Sequence, residues 1–289
     1  MYQKSLHRFT LIATAGTLIL IAAGGLVTST GSALSVPDWP LSYGQFFPPM
    51  IGGIRFEHTH RVIAALVGIL TLALTVLLLF KEKRGWVKAL GVVSLLMVIA
   101  QAILGGITVK YLLPTPVSVA HACLGQTFFA LLCALALFTS REWMESLPVK
   151  GRRSGSIQRL FLTTSFFVYL QLILGATIRH TETHAGLNYH FFTAFLILIH
   201  VIFIVPKTAK EKQIQNLFLK PSIFLAVLVS TQLFLGLGSY IYKLVMEKAA
   251  MPRTAEVLFT TAHQTNGALI LAVTVILTLR SFRLLRKNP

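Results

Sequence analysis

The sequence predicts an all-α integral membrane protein, with eight transmembrane helices arranged as two tandem four-helix bundles. Three observations predict it. First, 55% of the 289 residues are hydrophobic and only 12% charged, about half the ~25% charge of a soluble globular chain. Second, eight stretches of 19 residues or more carry no Asp, Glu, Lys or Arg. Third, motifs in the first half recur in the second. At 1.5 Å per residue, 19 residues reach about 28 Å, close to the ~30 Å hydrocarbon core of a bilayer. Helix is the spanning form expected, because period-2 alternation is absent and lipid leaves no backbone group unpaired.

The spans follow one another with basic connections between them. Met1–Arg8, with Lys4 and Arg8, precedes the first span, Phe9–Val27. No small-residue cleavage pattern follows, so this segment reads as a retained helix rather than a signal peptide. The second span, Val62–Phe80, follows the polar run Glu57–Arg61, and the third, Ala89–Val109, lies beyond the basic 81–88 connection. The fourth, Tyr111–Ser140, holds both cysteines of the chain, Cys123 and Cys133. Ten residues of helix separate these two by roughly 15 Å, too far for a disulfide. Leu160–Ile178, Leu187–Val205, Pro221–Tyr242 and Val257–Leu279 complete the set.

The formal charge of +17 would suggest nucleic acid in a soluble chain. Here nineteen of the 26 Lys and Arg residues fall on one side of the spans and seven on the other. The charge is therefore a topology signal that places both termini in the cytoplasm of a plasma-membrane protein, with no nucleic-acid role.

The duplication sets residues 1–145 against 155–289. Gln101-Ala-Ile-Leu-Gly105 in the third span recurs as Gln171-Leu-Ile-Leu-Gly175 and as Gln232-Leu-Phe-Leu-Gly236. Ala120-His121-Ala-Cys-Leu-Gly125 matches Ala262-His263-Gln-Thr-Asn-Gly267, and His60 at the second span matches His190 at the sixth. Repeats of this kind put sites at equivalent positions in each half. The glycines read mainly as helix-packing positions, although a flat macrocycle between helices needs the same clearance.

Seven of the nine histidines lie at outer helix ends or outer loops: His58, His60, His121, His180, His184, His190 and His263. A lone membrane histidine is commonly a hydrogen-bonded packing residue. Four at repeat-equivalent positions, one per even-numbered span, argue for ligands. Each half then supplies two imidazoles at one depth, the donor set of bis-histidine haem. Zinc wants four ligands close together, and a di-iron carboxylate site wants two Glu-x-x-His motifs; only Glu57-His-Thr-His60 is present. His200 lies about 15 Å deeper than His190 and is expected to be structural. His180 and His184 compete with His190 as the third ligand, and His58, facing away from His60, reads as an interfacial residue.

Glu57, His60 and Arg61 share one helix face. Glu57 is either a helix-start carboxylate paired with Arg61 or an acid/base group beside the first haem; Arg61 then binds a haem propionate. The second half carries Leu187, Asn188, Tyr189, His190 and Phe191 instead. One site looks reactive and the other like an electron carrier.

At these residues the chain resembles the haem A synthase family of respiratory membrane enzymes. The resemblance is carried by Gly24-Gly-Leu-Val-Thr-Ser-Thr-Gly-Ser-Ala-Leu-Ser-Val-Pro-Asp-Trp-Pro-Leu-Ser-Tyr-Gly44, by Glu57-x-x-His60-Arg61, by the starts of the His121 and His263 helices, and by Gly175-Ala-Thr-Ile-Arg-His-Thr181. It implies oxidation of a ring methyl of haem O to a formyl group, with water as oxygen source and electrons leaving through haem b. It also implies that His60 and His121 hold the substrate haem O, with Glu57 catalytic beside it, and that His190 and His263 hold haem b. Haem O synthase and a quinone or other electron acceptor are the expected partners besides the lipid bilayer, and a homo-oligomer is left open. Many relatives carry a cysteine pair around Pro-Asp-Trp-Pro; here those positions are Val36 and Ser42. Two rival readings are a di-haem cytochrome that only moves electrons and a transporter built on the repeat.

Overall fold

The structure is a computed structural model that describes residues 2–151, 153–181, 186–246 and 253–287. Eight of its helices are long and apolar enough to cross a membrane, which makes the chain a multi-pass membrane protein. They are α1 (Lys4–Ser29), α2 (Ile54–Lys81), α3 (Gly85–Lys110), α4 (Thr115–Thr139), α6 (Ser154–Thr181), α7 (Leu187–Ala209), α8 (Lys212–Tyr240) and α9 (Thr254–Leu284), with a short α5 (Arg141–Glu145) on the connection between halves. A π-helical turn, Ile241–Val245, extends α8.

Several helices outrun the charge-free stretches. α2 starts eight residues before Val62 and so takes Arg55, Glu57, His60 and Arg61 into its first two turns, while α8 runs back through Pro221 to Lys212. The fourth span, by contrast, begins later than Tyr111. Leu112 and Leu113 adopt left-handed backbone (φ 57° and 60°), and Pro114, whose successor Thr115 opens α4, marks the break.

Each of α1–α4 packs on its sequence neighbours, and α1 closes the ring on α4; α6–α9 form a second ring in the same way. The rings meet along a seam where α1 and α4 lie on α9 and α4 also touches α6. α4 is accordingly apolar on all sides and buried almost continuously from Phe128 to Thr139. Ile21, Phe129, Cys133, Ala268 and Ala272 form the seam's own apolar cluster. Threonines inside the helices do not leave polar groups open to lipid: Thr10, Thr17, Thr71 and Thr75 each donate to the carbonyl four residues earlier, at 2.7–2.9 Å.

The halves are also joined at the end remote from the four repeated histidines. Val149–Gly151 (β1) pairs in parallel with Leu285–Lys287 (β2), a small strand pair in an otherwise helical fold. Arg280 of α9 forms an ion pair with Glu142 of α5.

Candidate functional site

Four glycines and four histidines repeat one contact around the two rings. A Cβ placed on Gly24 of α1 would stand 3.0 Å from His60 Cε1 of α2, and one on Gly105 of α3 would stand 3.6 Å from His121 Cε1 of α4. In the second ring Gly175 of α6 meets His190 of α7 at 3.1 Å, and Gly236 of α8 meets His263 of α9 at 2.9 Å. Every odd-placed span thus offers a bare backbone on which the imidazole of the next span rests. These glycines hold the rings as well as the helices, and their spacing in the sequence is the available signal.

The orientation is repeated too. Nδ1 of His60, His121, His190 and His263 is buried without a hydrogen-bond partner among the described residues. A buried imidazole nitrogen without a partner is costly unless something outside these residues, such as a metal or a proton acceptor, meets it. His263 Nε2 stands 3.2 Å from the side-chain nitrogen of Gln232, whose oxygen accepts from Asn266 at 2.7 Å. The His190 and His263 rings lie 6.4 Å apart between centroids, tilted by 58°. A metal bound to both imidazoles at ~2.0–2.1 Å each requires a centroid separation of about 6 Å, so this pair fits an iron between its rings. No three His, Cys, Asp or Glu side chains gather into a metal cluster among the described residues. Any such metal must bring its remaining ligands with it, as an iron in a porphyrin does.

Among the described residues only the first pair has a buried carboxylate beside it. Glu57 is 4% exposed. Its Oε2 accepts from the Val36 backbone N–H at 2.9 Å, and its Oε1 from Arg61 Nη2 at 2.6 Å. Arg61 donates further to the carbonyls of Asp38 (2.7 Å), Leu41 (2.6 Å) and Val36 (3.2 Å). The guanidinium that the sequence suggests for a haem propionate is therefore engaged by the 36–41 loop. That loop is ordered by its own chemistry. Asp38 accepts from the N–H groups of Tyr43 (2.6 Å) and Gly44 (2.7 Å), and these bonds, Gly44's foremost, hold its carboxyl below the ordinary value of 3.8. Ser42 bonds His58 Nδ1 at 2.8 Å. Trp39 lies close enough on Gly106, next to Gly105, that a Cβ there would meet its ring at 3.0 Å. Val36 and Ser42 are thus tied down by a carboxylate and a histidine.

The remaining histidines sort themselves. His58 is buried and clasps the loop, so the interfacial placement expected for it is replaced by an internal one. His200 bonds Thr164 at 3.2 Å and packs on Phe167, deep in the second ring. His180 ends α6, and His184 lies outside the described residues.

Residues 54–195 match the family described as COX15-CtaA, cytochrome oxidase assembly protein. Over those residues, just under half of the chain, it is similar to that family. The matched segment opens with the first residue of α2 and takes in Glu57, His60, Arg61, His121 and His190. Among curated proteins it is similar to one named heme A synthase from Bacillus pumilus, 32% identical over 189 residues, 62% of this chain and 60% of the relative. A heme A synthase from Bacillus licheniformis is 30% identical over 63% of this chain and 61% of its own length. One from Exiguobacterium is 24% identical over 82% and 85%. The chain thus spans about 60% of the length of the first two relatives. The COX15-CtaA match and the repeated imidazole cradles come from independent properties of the chain, one from residue identity and one from packing.

Proposed function

We propose that the protein is a haem A synthase of the cell membrane, with both termini cytoplasmic. Residues 1–145 hold the substrate haem O between His60 and His121, and residues 155–289 hold haem b between His190 and His263. The observation that carries this reading is the asymmetry between two otherwise equivalent histidine pairs: among the described residues the first alone has a buried carboxylate, Glu57, under a pinned loop.

The reaction is R–CH3 + H2O → R–CHO + 4 H⁺ + 4 e⁻, where R is the porphyrin of haem O. His60 and His121 fix the iron, and with it the ring edge, relative to Glu57. Val36, bound to Glu57 through its N–H, and the loop around it bury that carboxylate away from bulk water, which strengthens every charge interaction inside. Glu57 lies one helical turn from His60 and takes protons released at the methyl carbon and from the incoming water. Arg61 and the Val36 N–H hold its two oxygens in place, so that proton transfer needs no reorganisation of the carboxylate. A haem b held by His190 and His263 would supply one-electron redox chemistry, with an acceptor of the quinone class as the destination of the electrons. Haem O synthase is the partner that hands over the substrate.

The test is extraction and chromatographic identification of the haems from protein purified out of cells that also make haem O. Haem B together with haem O, haem A or the hydroxylated intermediate is expected. Haem B alone, with haem O available, would turn the assignment to a di-haem electron-transfer cytochrome. Well-folded protein without haem would sink both.

A further inference from the structure

The seam between the two rings contains an arginine that no carboxylate meets among the described residues. Arg179 of α6 points across to α1, where its Nη2 donates to Ser29 Oγ at 2.8 Å and to the Gly25 carbonyl at 3.2 Å. Its Nη1 approaches the Thr260 carbonyl of α9 at 3.5 Å. Its Nε is buried with no partner among the described residues. Five other Arg–Glu pairs form among those residues, and Arg179 is in none of them. Around it stand three hydroxyls: Thr260 and Thr261 bond Ser29 at 2.8 and 3.0 Å.

A guanidinium presents five N–H donors in a fixed fork. Leaving one buried and unpaired in a membrane protein is costly, so the open Nε edge calls for an acceptor from outside those residues. A carboxylate oxygen can accept that free Nε–H in a charge-assisted hydrogen bond. The position says which carboxylate. Arg179 is one turn beyond Gly175, on which His190 rests, and Thr260 is one turn before His263. If Gly175 is aligned with Gly24 by their shared contact to a histidine, Arg179 stands where the first half has Thr28.

We propose that Arg179 anchors a propionate of the tetrapyrrole held by His190 and His263, while its other face grips α1 of the first half. This rests on the reading of that pair as a haem site. Arg61 and Arg179, one in each half, then do different work. Arg61 closes a loop, whereas Arg179 receives a ligand carboxylate.

The experiment uses the full chain, prepared haem-free from haem-deficient cells, and compares binding of iron protoporphyrin IX with that of its dimethyl ester, which has no ionised propionate. The signal read is the bis-histidine absorbance that is lost in His263→Ala. Wild type is expected to prefer the free acid by about tenfold or more, the usual worth of a charge-assisted hydrogen bond, and Arg179→Met to bind both alike. An arginine that merely braces the seam would weaken both ligands together and leave the ratio unchanged. That result, or a wild type indifferent to esterification, overturns the proposal. If Arg179→Met does not fold, Arg179→Lys decides: it keeps the charge without the fork, and an undiminished preference in it is equally contrary. A wild type in which neither porphyrin gives a His263-dependent signal refutes the haem reading of the pair itself.

Discussion

Replacing Gly236 by alanine sets two effects of opposite sign against each other. The added methyl lies 2.9 Å from His263 Cε1 and 3.3 Å from its Nδ1. Carbon atoms in contact settle at about 3.5 Å or beyond, so the ring must retreat by roughly 0.6 Å. Without a metal that movement is cheap, because the ring is the free end of a side chain, and alanine gains up to ~1 kcal/mol of helix propensity over glycine. With a metal it is not cheap, because ligand distances tolerate only about ±0.2 Å. The haem-free variant should therefore be as stable as wild type, while its second site loses low-spin bis-histidine haem. Gly105→Ala is the matched control: its methyl sits 3.6 Å from His121 Cε1, ordinary contact, and the first site should survive it. The assay is haem content per chain together with the low-spin spectrum, alongside thermal unfolding in detergent. A Gly236→Ala protein with a full complement of low-spin haem at that site would refute the reasoning, as would equal damage from Gly105→Ala.

Other expectations concern the loop and the connections. Glu57→Gln should retain haem binding but yield no formyl product by chromatography; a normal yield of haem A would remove Glu57 from the catalytic role. Arg61→Met breaks four hydrogen bonds, three of them to the loop and one to Glu57. It should raise protease cleavage within 31–53 at least severalfold, with haem content changed less than cleavage. Because Asp38's carboxyl is held below 3.8 in the folded chain, its contribution to loop order is complete above that value and lost as pH falls through the lower folded one; hydrogen exchange of Tyr43 and Gly44 should quicken only below about pH 4, and quickening already at pH 6 would contradict it. Glu82, whose carboxyl Arg84 pushes down to about 2 from 4.5, should contribute about 1–2 kcal/mol at neutral pH after allowance for solvent screening. Glu82→Gln should show that deficit at pH 7 and lose it between pH 4.5 and 2, as measured by unfolding midpoints.

The eight spans are legible because runs without charge mark what lipid tolerates. The same criterion misplaces their ends. It measures contact with lipid and not helicity, so it omits the turn of α2 holding Arg55, Glu57 and Arg61, which is as helical as the rest. The histidine pairs can be read from the repeat, since a repeated position needs no knowledge of packing. The cradle glycines show in the letters chiefly as packing sites, because nothing in one chain's sequence says which side chain a glycine faces. For Arg61 the sequence points to its pairing with Glu57 but not to the loop carbonyls that take its other donors. Its donors follow the fold of the 36–41 loop, which depends on turns too irregular to show a period. Arg179 does not stand out inside Gly175-Ala-Thr-Ile-Arg-His, and its significance lies in being the residue at which that motif departs from Thr28. The three-residue strands β1 and β2 are too short for alternation to register.

Gly24, which supports His60, neighbours Gly25, and a Cβ on Gly25 would meet Thr261 and Gln264, which lie beside His263 in α9. The two histidine pairs therefore stand at one level, side by side across the seam. An electron passing from one to the other moves parallel to the membrane surface. A transmembrane voltage does about 2.3 kcal/mol of work per 100 mV on a charge that crosses the whole bilayer, and almost none on a charge that moves sideways. On the proposed function, electron transfer between the halves would be electrically silent, and its rate in sealed vesicles should be the same whether they are polarised or not.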